Sequence, residues 1–125
     1  MSRNDFLLVA AAIVAAIGLI HSYLGERLVF ARLFALPDLP LLRRDRAYTE
    51  NVLRYAWHLT SLAWWSAGAT LVALWWGASD ARRTVLLIIA AMLLLTGVTV
   101  LATAGRRHPA WPLLLIAAAA TWYGA

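Results

Sequence analysis

Three histidines, His21, His58 and His108, stand in a chain that is otherwise mostly apolar. An imidazole can ligate a metal, carry a proton or simply hydrogen-bond. Along the sequence lie the acids Glu26 and Glu50, the cation Arg54, the aromatic residues Tyr55 and Trp65, and the hydroxyls Thr96, Thr99 and Thr103. A histidine with a carboxylate partner is the minimum for general acid–base chemistry, and an arginine beside it would orient an anionic group. Two histidines, His21 and His58, could instead clamp a divalent metal or a b-type haem between helices, although no HxxxH, HExxH or ExxH spacing is present. Each residue also has a plainer reading. For His21 and His58 it is an interhelical hydrogen bond, for His108 a solvated end group, for Trp64 and Trp65 packing, and for Glu50 an ion pair with Arg54 at i, i+4.

Composition removes several chemistries. All eleven cationic side chains are arginine, so no lysine is present for a Schiff base. The absence of cysteine removes thiolate metal sites, disulfides and thiol nucleophiles, and no GxSxG motif is present. The net charge of +5 comes from arginines in short clusters between apolar runs, not from a basic face with interleaved aromatics, so nucleic acid is not an expected partner.

The elements that must position these residues are apolar helices. Of 125 residues, 63% are hydrophobic and 14% charged, a membrane composition for one compact unit. Four runs, Phe6 to Leu24, Val52 to Trp76, Val85 to Ala104 and Ala110 to Trp122, approach the roughly 20 residues that span a bilayer as helix. The first run is longer than a signal-peptide core, and its leading segment holds only Arg3, offset by Asp5, so it reads as a retained helix. Helices are expected over about 5–25, 50–77, 83–104 and 109–124. Thr49 followed by Glu50 offers a cap for the second, and Pro109 opens the fourth. The connector 27–48 alternates Leu28, Val29, Phe30, Leu33 and Phe34 with arginines, which suits a bend near Gly25 and an amphipathic segment lying in the interface. Eight arginines flank one side of these helices and three the other. By the positive-inside rule both termini face outward from an inner membrane, with the long connector in the cytoplasm.

That topology brings the polar groups to one level. His21 ends the inward helix one turn before Glu26, and His58 lies one turn after Arg54 on its neighbour. Ala11, Ala15, Gly18, Ser22 and Gly25 form a small-residue stripe that permits close helix approach. The expected fold is therefore an all-α, integral membrane four-helix bundle, up and down, with an intramembrane pocket of His21, Glu26, Glu50, Arg54, Tyr55, His58, Trp65, Thr99 and Thr103 near the cytoplasmic face.

At "HSYLGER" (21 to 27) and "RYAWHLTSLAWW" (54 to 65) the chain resembles uncharacterised small bacterial membrane proteins that pair an HSxLGE-type end of the first helix with an RxxWHxxS-type start of the second. The resemblance covers the first half of the chain. It implies a four-helix membrane protein in which His21, Glu26, Arg54, Trp57 and His58 recur, and it brings no activity with it. The expected function is a binding or accessory protein of the membrane. The first alternative is a His-ligated metal or haem module, and the second a lipid-directed enzyme using His and Glu as acid and base. The lipid bilayer is the expected partner, with a homo-oligomer or larger membrane complex compatible. A proton-coupled transporter would need a second titratable station in the outer half, where the sequence supplies none.

Overall fold

Alanine, leucine, isoleucine and valine carry the first helix, α1 (Asp5–Leu24), in the computed structural model, which describes residues 5–77, 79–106 and 108–125. Arg3 and Arg107, used in the arginine count, lie outside the described residues. The chain does not leave the helix at Gly25. It passes through a π-helical turn, Gly25–Phe30, into a last α-helical stretch, Ala31–Leu33, making a helical path of 29 residues. Where a bend near Gly25 and a helix end at about 25 are expected, the helical path continues through a wider turn, at whose start the Trp57 indole lies against Gly25. Helical structure ends before Pro37. There Arg46 donates to the otherwise orphaned carbonyls of Phe34 and Leu36 while its Nε meets Glu50 at 2.9 Å.

The second helix, α2 (Arg46–Trp75), starts four residues before the expected position. Asp45, in place of the expected Thr49, caps it by accepting the Tyr48 N–H at 3.0 Å, and aspartate is a stronger N-cap than threonine. Thr49 is buried instead, accepting from the Leu42 N–H at 2.8 Å and donating to the Asp45 carbonyl at 2.7 Å. Asp80 caps α3 (Ala81–Ala104) by accepting the Arg83 N–H at 2.9 Å, and Gly105, with φ of 70°, ends it. Pro109 precedes α4 (Ala110–Tyr123), and His108 Nδ1 accepts the Ala110 N–H at 3.2 Å.

Four antiparallel helices therefore make an all-α fold, with no strand among the described residues. Packing follows the chain: α1 lies on α2, α2 on α3 and α3 on α4, while α1 and α4 do not close a ring by comparable packing. The buried positions are mostly small, including Ala11, Gly18, Ser61, Gly68, Ala90, Thr96, Gly97, Ala104 and Ala118. Large apolar side chains point outward, among them Phe6, Leu19, Leu113 and Ile116 at 59–66% exposure. Two helical paths, Asp5–Leu33 and Ala81–Ala104, are long and apolar enough to cross a membrane. Only 11% and 22% of their apolar windows are buried within the chain.

Candidate functional site

The seam between α1 and α2 builds the site. Close approach is possible because α1 presents Gly18 and Gly25 where α2 presents tryptophans. A Cβ on Gly18 would fall 2.4 Å from Trp65 Nε1, and one on Gly25 would fall 2.2 Å from Trp57 Nε1. Each indole also donates to the backbone of α1, Trp65 to the Ala15 carbonyl at 3.2 Å and Trp57 to the His21 carbonyl at 3.0 Å. Between the two clasps, Ser22 Oγ lies 2.8 Å from Ser61 Oγ.

The polar network occupies this bracketed level. Ser22, near the end of α1, is four residues before Glu26 in the π-helical turn that continues it, and Arg54 and His58 are one turn apart on α2. His58 Nδ1 is 2.8 Å from Ser22 Oγ, and its Nε2 is 3.0 Å from Glu26 Oε1. Arg54 Nε reaches both Glu26 oxygens at 3.1 Å, and its guanidinium lies 5.1 Å from the centre of the Phe34 ring. The Arg54, Glu26 and His58 side chains are 45%, 40% and 37% exposed, so the charged end of the network is accessible. The Glu26 carboxylate only accepts, which places a proton on Nε2. With His58 neutral, Ser22 donates to Nδ1 and Ser61 donates to Ser22; with His58 charged, both bonds reverse. The network keeps its connections in either state.

These connections reproduce the order of a serine–histidine–acid triad. Ser22 itself is half-buried, bonded to His58 and to Ser61, which is 1% exposed, and it is not among the residues that line the two clefts of His58 and His21.

His21 does not join His58. Its ring stacks on Trp57 with centroids 4.3 Å apart and planes within 5°, and it meets the edge of Trp64 at 5.1 Å. Its Nε2 is buried with no hydrogen-bond partner among the described residues. The two imidazoles line different clefts, and both His58 nitrogens are already engaged. Among the described residues no group of three or more His, Asp or Glu side chains could hold a metal ion.

One cleft, of about 250 Å³, opens between α2 and α3. Tyr55, His58, Trp65, Thr96 and Thr99 line it with Leu59, Leu62 and Leu95. Tyr55 Oη is 2.9 Å from His108 Nε2, which ties the start of α4 to the site. Of the residues expected from sequence, Glu26, Arg54 and His58 are joined in the network, and Tyr55, His58, Trp65 and Thr99 surround the cleft. Glu50 belongs elsewhere, since it pairs with Arg46 and not with Arg54. Thr103 donates to the Thr99 carbonyl of its own helix at 2.7 Å and is not among the cleft lining. Sequence reasoning missed Ser22 and Ser61 as members of the network. Their signal was position: Ser22 is four residues before Glu26, and Ser61 three after His58.

Comparison with protein-family models, curated proteins and solved structures finds no match for this chain. The reading of the site rests on its own geometry.

Proposed function

We propose that the protein is a small multi-pass membrane protein that binds an amphipathic small molecule in the cleft beside His58. The observation that carries this reading is the placement of the Ser22–His58–Glu26–Arg54 network at the edge of that cleft, within helices whose outer surfaces are apolar. In water, a surface bearing so many exposed leucines, isoleucines and aromatics would drive association. In a bilayer it is the expected exterior, and the small interior residues are what helix packing in lipid favours.

All four helices span in this reading. α2 carries no charged residue from 55 to 75, long enough to cross. The 14 residues of α4 give about 21 Å of helix, which local thinning of the bilayer accommodates. The arginine-rich end lies in the cytoplasm and both termini outside. An ion pair costs less at this interface than at mid-bilayer, which suits a site whose charged groups are about two-fifths exposed.

Native mass spectrometry of protein released from membranes in mild detergent tests the binding reading. The expected result is one retained amphiphile per chain, lost in Leu62→Trp, which overfills the cleft, and kept in Ile116→Trp on the outer surface. No retained molecule in any preparation would overturn it.

A further inference from the structure

The cleft holds a second asymmetric element, at its Tyr55 end. His108 Nδ1 accepts the backbone N–H of Ala110 at 3.2 Å, so this nitrogen carries a lone pair and not a proton. The neutral ring then has its proton on Nε2, which lies 2.9 Å from Tyr55 Oη with the two rings perpendicular. Tyr55 therefore accepts from His108, and its own O–H proton is left to donate. Among the described residues no other hydrogen bond involves that hydroxyl. Of the other polar lining groups, the His58 nitrogens are occupied by Ser22 and Glu26, Trp65 donates to the Ala15 carbonyl and Thr96 to the Met92 carbonyl at 2.8 Å, which leaves the Thr99 hydroxyl as a second donor with no hydrogen bond among the described residues.

From this tautomer assignment we propose that Tyr55 is a ligand-reading donor of the cleft, the one whose proton its histidine partner directs away from itself, and that the ligand is an uncharged amphiphile presenting a carbonyl oxygen to it. The inference rests on the binding reading given above and adds the chemistry of the ligand. Neutrality follows from the lining. Among the described residues that line the cleft none is an arginine or a carboxylate, and Arg54 and Glu26, joined to its His58 wall, are paired with each other. The volume, about 250 Å³, is below that of sites that enclose a whole drug-sized ligand, so it takes the polar end and first segment while the tail continues along the apolar surface. A membrane-lipid acyl ester and an isoprenoid quinone both offer this chemistry.

The test uses the full chain in nanodiscs and three probes of similar apolar bulk: a monoacylglycerol, a short-tailed benzoquinone and a carbonyl-free alkylbenzene, each read by equilibrium retention over empty nanodiscs. The wild type is expected to retain at least one carbonyl probe, the ester or the quinone identifying the source. Tyr55→Phe should weaken that probe about five- to tenfold, the loss of one hydrogen bond, and leave the alkylbenzene unchanged. Infrared spectroscopy of the isotopically labelled carbonyl bound to the wild type reads the same bond without a substitution, as a shift to lower frequency. Equal retention of all three probes with an unshifted carbonyl band would overturn the Tyr55 assignment and leave the cleft as a binding site. Retention of none of them would overturn both readings.

Discussion

His58 and His21 lie one turn inside the same seam and are held by different forces. His58 is fixed by hydrogen bonds to Ser22 and Glu26, His21 by stacking on Trp57 with one nitrogen left unpaired. Replacing them with phenylalanine should therefore have opposite effects. His58→Phe removes one partner from each of Glu26 and Ser22, which keep Arg54 and Ser61, and should lower stability by about 1 kcal/mol. His21→Phe keeps the stack, removes a buried unsatisfied atom, and should leave stability unchanged or raise it by about 1 kcal/mol. Unfolding in mixed micelles measures both, and a clear loss in His21→Phe would show that the nitrogen has a partner. Why some partners were legible in sequence and others not is visible at Glu50. It has an arginine four residues before it and another four residues after it, and helix spacing alone does not choose between them. The choice is made by Glu26, 28 residues away from Arg54 in sequence, which takes Arg54 and leaves Glu50 to Arg46.

The α1–α2 hairpin is held by the exchange of glycine for indole at two levels, and this gives the seam its register. Gly25→Ala would place a methyl group inside the Trp57 ring, displace the indole and weaken its bond to the His21 carbonyl. A cost of about 1–3 kcal/mol is expected from such overpacking. In a Trp57→Ala background the same substitution should cost far less, and an undiminished cost would mean that the indole is not what Gly25 accommodates. Helix positions were largely readable because long apolar runs between arginine clusters leave few alternatives. The boundaries were less so. The start of α2 depended on a competition between Asp45 and Thr49 for the cap, and the continuation of α1 past Gly25 depended on a tryptophan from another helix. Asp45→Ala should accordingly cost about 1 kcal/mol, whereas a negligible effect would place the working cap elsewhere.

Sequential packing leaves α1 and α4 each with a single helical neighbour, so most of the apolar surface of the molecule faces its surroundings. The membrane reading and the asymmetric arginines together predict where the ends lie. A reporter fused after Ala125 should be active only when it is exported, and activity restricted to the cytoplasm would move the His58 site to the opposite face. Composition revealed this outer character at once, because an exterior is an average property. Tyr55, His58, Trp65 and Thr99 of the cleft were among the expected pocket residues, whereas Leu59, Leu62 and Leu95 were not, since only tertiary packing sets these side chains of α2 and α3 opposite each other.

The claim that this cleft holds a particular amphiphile is tested most directly by a photo-crosslinking benzoyl-phenylalanine placed at Leu62 inside the cleft and, separately, at Ile116 on the outer surface, in cells. Crosslinking from Leu62 should give one discrete mass increment that competes with an added carbonyl amphiphile, while Ile116 gives the spread of bulk lipid. The same heterogeneous adducts from both positions would contradict the account.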